Sequence, residues 1–393
     1  MKPFKKVLAA LIAVIVALSV TACKPVSLTK DWSYKVEDST LNQEYAIGVY
    51  IYELYSAYSN AASYAKDAEG YNENESFLGL TIKDSDGNKA VAKDWILQKA
   101  EENTLRILST DYLMSKHGAT VDEAQMKTAY DNAKNAWDVG PYAQSGYYNP
   151  MSKVLYDYGV SEESFSICFA DGYNAYPVTL KQSALFNKIY DEKGVEAVSD
   201  KELKKFFEDN YVSYTFIPVN LYTSKTDDDG NSTSKAFSAK KIKKIKAQLE
   251  EYADQLSSGA SSLDDIKKKC EKDYSVSSDS VVEDNVSTKK DFKNSYAEIY
   301  KVFKKLSDGK AAVVVVGEDG DSPTAYIVLK NDVTKKTADY VKENRGSVLQ
   351  NCKSDDFTDL LDKTAKELKD AGTLKKNDGA IGKYDPEMFF EKK

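Results

Sequence analysis

The apolar positions set out the chain as two kinds of territory. Ile47, Ile51, Leu54, Tyr58, Ala61 and Ala65 follow one another at helical intervals, which predicts an amphipathic helix. Tyr45, Tyr52 and Tyr55 lie off that stripe and predict aromatic surface on a second side of it. Gly70 to Lys93 reads as loop, with Asp86-Gly87 as its turn. A second helix is expected from about Asp94, with Leu97, Leu105, Leu108 and Tyr112 inward, closing at His117-Gly118. Thr120-Val121-Asp122-Glu123 is a capping box, and Ser199-Asp200-Lys201-Glu202 repeats the device before Leu203, Phe206 and Phe207. Between them, Ser161 to Asp191 predicts one long helix or two shorter ones, broken around Asp171-Gly172 and Pro177. Residues 44–210 therefore read as a mostly helical unit.

The pattern changes at Tyr211. Residues 211–223 are rich in Tyr, Val, Thr, Phe and Ile and predict a strand, followed by a polar loop from Ser224 to Ser234. Its Asp227-Asp228-Asp229-Gly230 run fails the spacing of a calcium loop and reads as a solvated turn. Ile242, Ile245, Leu249, Tyr252 and Leu256 mark a helix with a basic outer face; Ser262 caps another carrying Ile266 and Cys270. Phe292, Tyr296, Ile299, Phe303 and Leu306 predict a third. Strands at 311–316 and 324–329 close this part, giving β-α-α-loop-α-β-β over residues 211–331. Residues 334–371 return to helix, and a short tail carries Tyr384, Met388, Phe389 and Phe390.

The start of the chain supplies an address. Lys2, Lys5 and Lys6 precede an uncharged run from Val7 to Val20, which ends in Thr21-Ala22-Cys23. That is an export signal, shorter than the ~20 residues of a membrane span. The segment resembles the bacterial lipoprotein signal. The resemblance implies removal of residues 1–22, lipid modification of Cys23 and residence on the extracytoplasmic face of the membrane. Residues 23–43, polar and containing Pro25, then read as a tether.

Loss of the three signal lysines takes the net charge from −8 to −11. An acidic chain of this kind excludes sequence-independent nucleic-acid binding. It also leaves membrane affinity to the acyl chains rather than to a basic patch. Cys168, Cys270 and Cys352 are far apart, form no Cys-x-x-Cys motif and read as small buried hydrophobes, with a bridge between two of them left open. Tyrosine is in excess at 28 residues, and histidine occurs once. One imidazole rules out paired-histidine metal or acid–base sites. His117 itself reads as a helix-end residue. No cofactor, metal or catalytic residue is expected; nucleophile-elbow, P-loop, Gly-x-Gly-x-x-Gly and His-Glu-x-x-His motifs are absent from the sequence.

Val198-Ser199-Asp200-Lys201-Glu202-Leu203 ahead of Phe206, Phe207 and Tyr211 is similar to the opening helix of the PrsA/SurA-type parvulin foldases. Ile299 to Lys310 followed by Val313 to Val316 resembles their last helix, turn and strand, and Ala325-Tyr326-Ile327-Val328-Leu329-Lys330 their final strand. The resemblance implies an α+β chain. It would consist of a mostly helical N-terminal chaperone-like domain (44–210), a parvulin-like β-α-α-α-β-β domain with a small antiparallel sheet (211–331), and a C-terminal helical segment (332–393) packed on the first. It further implies a peptidyl-prolyl isomerase site centred on two histidines. The first strand here, Tyr214 to Leu221, has none, and Tyr326 stands where the family's last strand carries Gly-Tyr-His-Ile. The family's Gly-Gly segment is also missing from Tyr274–Lys290. Weak or no isomerase activity is therefore expected.

What remains is a membrane-anchored foldase or chaperone for unfolded or newly exported proteins, with a homodimer left open. Tyr45, Tyr52, Tyr55, Tyr142, Tyr147 and Tyr148 are the candidate client contacts, because tyrosine joins apolar area to an adaptable hydroxyl. A cell-surface structural or assembly lipoprotein is the alternative. A transporter's solute-binding lipoprotein is less well supported, since it requires strand–helix alternation through most of the chain.

Overall fold

A computed structural model describes residues 31–226 and 232–390; the export signal, Cys23 and the Asp227–Gly230 turn lie outside the described residues. The chain runs β1 (Trp32–Glu37), β2 (Asn42–Ala46), α1 (Ile47–Ala65), β3 (Thr81–Lys83), β4 (Lys89–Val91), α2 (Ala92–His117) and α3 (Glu123–Asp138). Then come α4 (Met151–Leu155), α5 (Glu162–Cys168), α6 (Pro177–Tyr190), α7 (Asp200–Asn210), β5 (Tyr211–Asn220), β6 (Tyr222–Thr226) and β7 (Ser232–Ala236). α8 (Ala239–Ser258), α9 (Leu263–Tyr274), β8 (Val282–Thr288), α10 (Lys289–Ser295), α11 (Ala297–Phe303), β9 (Ala311–Val316) and β10 (Thr324–Asn331) follow. The chain closes with α12 (Thr337–Glu343), α13 (Arg345–Asp370), β11 (Leu374–Lys376) and α14 (Asp378–Ile381). It is an α+β protein, and every strand pair among the described residues is antiparallel. The parallel lobes that a solute-binding lipoprotein requires are not among them. Nor, among these residues, is any helix long and apolar enough to cross a membrane.

The chain divides into two compact units: residues 1–196 with 354–393, and residues 197–353. α7 thus belongs to the second unit rather than to the helical one, and the long α13 contributes to both.

In the first unit, the first two turns of α1 are buried around nearly their whole circumference. Eight consecutive residues, Ile47 to Leu54, are buried, because helices and strands pack around it rather than along one face. A stripe-and-surface helix was expected from the spacing; a central helix is what forms. Residues 31–43 are correspondingly not a tether. Tyr34 and Val36 of β1 point into the core, and β1 pairs with both β2 and β11, with Val36 opposite Leu374. The missing partner lay more than three hundred residues downstream, so local pattern could not reveal the strand. Residues 70–93, read as loop, hold the β3–β4 hairpin, turning at Gly87 with φ 90°. Ser161 to Asp191 does resolve into two helices, α5 and α6, separated around Asp171–Tyr176.

The second unit is a four-stranded sheet, order β8-β5-β10-β9, covered on both faces. α8 and α9 bring Ile245, Leu249, Tyr252, Ile266 and Cys270 onto Ile217, Val219, Ala325 and Ile327. α10 and α11 bring Phe292, Ile299 and Phe303 onto Val212, Tyr214, Phe216, Val314 and Val328 of the other face. The alternation along β5 and β10 is what divides these residues between faces. β8 occupies the stretch read as loop. Its apolar residues are few because it is an edge strand, and its pairing with β5 slips at Tyr214/Phe216, where Asp284 takes φ 51°. The helix expected across Phe292–Leu306 is two, α10 and α11, bent at Tyr296.

Candidate functional site

Two places carry the residues that the sequence nominates. The first is in the helical unit. Gly140 follows α3 with φ 105°, and a Cβ there would lie 2.6–2.8 Å from backbone atoms of Asn149. Only glycine allows that approach, so the loop from Gly140 to Asn149 is pinched at its base. Inside it, the Ser145 and Tyr147 N–H groups donate to the Tyr142 carbonyl at 2.9 and 3.2 Å. A loop that satisfies its own backbone need not bury its side chains. Tyr142, Tyr147 and Tyr148 are accordingly 49%, 73% and 75% exposed.

A fourth tyrosine joins them from the segment between α5 and α6. Asp171 Oδ1 accepts the N–H groups of Tyr173 and Asn174 at 2.8 and 2.9 Å, and its Oδ2 accepts the hydroxyl of buried Tyr176 at 2.8 Å. This turn holds Tyr173 outward at 81% exposure, its ring edge-on to Tyr142 with centroids 6.0 Å apart. Asn132 of α3 donates to the Ala175 carbonyl at 2.9 Å, tying the turn to the helix. The result is a set of exposed phenol rings on backbone that is locally fixed. Sequence reading missed Tyr173; its position just after the Asp171-Gly172 break was the available signal.

The other three nominated tyrosines are not on a surface. Tyr45 is buried, and its hydroxyl donates to Asp111 Oδ2 at 3.0 Å. Tyr52 is buried edge-on against Phe165 and Phe169, at 5.6 and 6.4 Å. Tyr55 is half-buried against Phe389 at 5.5 Å. Tyr45 lies on β2, as the one residue of that strand turned into the core, while Tyr52 and Tyr55 lie on the N-terminal half of α1, which packing encloses. Burial raises the phenol pKa of both Tyr45 and Tyr52, so they stay neutral fillers.

The second place is the α10–α11 face of the four-stranded sheet, where Tyr326 sits. Tyr326 is paired across the ladder with Pro218 and Val314. Its ring approaches Phe216 at 6.0 Å; Phe216 in turn meets Tyr296 at 5.1 Å and Tyr214 at 4.7 Å. Phe292 completes the cluster, 4.7 Å from Tyr214. Asn285 Nδ2 donates to the Tyr214 hydroxyl at 2.7 Å. Desolvation raises the phenol pKa of Tyr214 and of Tyr326, so both stay neutral phenols at neutral pH. The face offers apolar area and neutral hydroxyls.

His117 belongs to the other unit, at the end of α2, with Gly118 as its left-handed cap. Desolvation first, then Lys116 and Lys188, lower its pKa below the usual imidazole value. None of Cys168, Cys270 and Cys352 is in a disulfide with another described residue. Among the described residues no group of His, Cys, Asp and Glu is arranged to hold a metal ion.

No protein-family model matches the chain, and no curated protein matches it. Among solved structures, it is similar to the foldase protein PrsA from Lactococcus lactis. Identity is 13% and the TM-score 0.32, covering 92% of this chain and 100% of that one. It is likewise similar to the foldase protein PrsA from Streptococcus pneumoniae str. Canada MDR_19A. There identity is 15% and the TM-score 0.32, over 77% of this chain and 97% of that one. The similarity is loose at that score, and the architecture here stands on its own sheet order and packing.

Proposed function

We propose that this chain is an extracytoplasmic chaperone, tethered through a lipid on Cys23, that binds unfolded or newly exported proteins without efficient prolyl isomerisation. The observation that carries the reading is the exposed group Tyr142, Tyr147, Tyr148 and Tyr173 on a pinched loop and a side-chain-locked turn. These four are the most exposed aromatic residues among the described ones, ahead of Tyr130 at 39% and Tyr71 at 37%, and together they offer wide, adaptable contact area. Tyrosine fits that task. Its two rotatable bonds lose little entropy on contact, and its hydroxyl tolerates a wet, variable interface.

The aromatic cluster around Tyr326 supports the second half of the reading. An amide rotates over a barrier of about 18–20 kcal/mol, and lowering it takes polar groups placed around the twisted bond. The cluster supplies rings and neutral phenols in place of imidazoles. The lipid tether rests on the Val20–Cys23 segment, outside the described residues; loss of fatty-acid labelling in Cys23→Ser would test it.

The test of the whole is suppression of client aggregation. Chemically unfolded model client should precipitate several-fold more slowly with the protein present. Changing Tyr142, Tyr147, Tyr148 and Tyr173 together to Ser should abolish that protection and leave the melting temperature within a few degrees. Full protection by the well-folded quadruple variant would refute the reading.

A further inference from the structure

The two edges of the four-stranded sheet are treated in opposite ways. At the β8 edge, the ladder is broken by the slip at Tyr214/Phe216 and the positive φ of Asp284. The Asp284 carbonyl there accepts Lys336 Nζ at 3.0 Å, and Lys336 also pairs with its carboxylate at 2.6 Å. Glu283 pairs with Lys267 at 2.7 Å. Bulges and charges are the usual means by which an edge is closed to further strands.

At the β9 edge the sequence is Ala311-Ala312-Val313-Val314-Val315-Val316, without a charge or a proline. Alternation decides which backbone groups face outward. The Lys310 carbonyl accepts from Lys330 N–H at 3.0 Å and so faces β10; Ala311 N–H donates outward, to Ser257 Oγ at 2.8 Å. By the same period of two, the N–H and C=O groups of Val313 and Val315 face outward. Among the described residues, no hydrogen-bond partner stands opposite them. Beyond Val316 the strand ends, because Gly317 turns to φ 68°.

We infer that β9 is a docking edge for an extended, proline-free apolar segment of a client chain, added antiparallel as a fifth strand. This rests on the chaperone reading and gives it a second contact. Four outward groups spaced over ~7 Å match two alternate residues of an extended chain. The client's β-branched side chains would lie beside Val313 and Val315 on one face and Val314 on the other. The acidic turn Glu318-Asp319-Gly320-Asp321 at the end of β9 favours a cationic residue on the amino side of an antiparallel segment. A second copy of this chain fits poorly. Two unpaired residues between Ala311 and Gly317 provide a short ladder, against the ~1,000 Å² or more that a stable dimer buries. Weak, reversible capture of unfolded chain suits an edge of this length.

The experiment is amide hydrogen exchange of the chain from residue 24 onward, which keeps every described residue. The probe is a soluble seven-residue peptide of alternating Thr and Val behind two amino-terminal lysines. Saturating peptide should slow exchange at Val313 and Val315 at least tenfold. The same peptide N-methylated at alternate residues should give no protection, since its donors are gone. Val315→Pro should remove the effect too, and Val313→Lys should weaken it severalfold. Equal protection by the N-methylated peptide, or slowing confined to other residues, would overturn the inference. So would β9 amides already protected in a peptide-free dimer. Aggregation assays of the tyrosine variants report on the chaperone reading separately, because those substitutions leave β9 unchanged.

Discussion

Tyr45 and Asp111, far apart in sequence, meet in the core of the helical unit, where the phenol donates to Oδ2 at 3.0 Å. Lys181 takes the other carboxylate oxygen at 2.7 Å, so Asp111 is held from both sides with its side chain only 9% exposed. A buried carboxylate stripped of one hydrogen bond keeps its desolvation penalty. Tyr45→Phe should therefore destabilise the unit by about 1–3 kcal/mol. Urea denaturation would measure it, and aggregation suppression should be unaffected, since Tyr45 is not on the surface.

Glu53 lies in the buried stretch of α1, 6% exposed, and accepts a hydrogen bond from Asn103 Nδ2 at 3.1 Å. Burial pushes its carboxyl from the ordinary 4.5 up to about 7, against the smaller lowering effect of Asn103. The folded state thus binds this proton more tightly than the unfolded chain does. The stability so gained is complete below the unfolded value of 4.5 and is lost as pH rises through about 7. Glu53→Gln, neutral throughout, should lie above the wild type in stability at pH 8 by up to roughly 3 kcal/mol. The two should converge near pH 4; melting curves across that range would show whether the gap opens.

Gly140 pinches the base of the loop that carries Tyr142, Tyr147 and Tyr148. Gly140→Ala combines a left-handed backbone with a Cβ pressed against Asn149, and should destabilise by about 1–3 kcal/mol. Faster proteolysis within 140–149 than elsewhere would register the loosened loop. Unchanged stability would mean that the pinch does not hold the loop.

The thiols should react in order of access. Cys168 and Cys270 are buried, and burial pushes the Cys168 thiol well up and that of Cys270 up to about 12. Cys352 is partly exposed. A thiol reagent at pH 8 should label Cys352 first, at least tenfold ahead of the other two, because the thiolate is the reacting form. Mass spectrometry of the labelled peptides would decide the order.

The sequence by itself determined the helices whose faces repeat at 3.6 residues, the strands rich in β-branched residues, and the scarcity of imidazole. These follow from local periodicity and composition, which need no partner to be read. Ser199 and Glu202 form their reciprocal cap as their spacing required. What depended on partners far along the chain was hidden. β1 became a strand because Leu374 and Lys376 pair with it, Tyr45 went inward as the core-facing residue of β2, and Tyr52 went inward because packing surrounds the N-terminal half of α1. Exposure of a tyrosine and openness of a strand edge are likewise statements about what is not adjacent in space. Only tertiary structure decides them, because a residue's surroundings are fixed by contacts that the order of the chain does not carry.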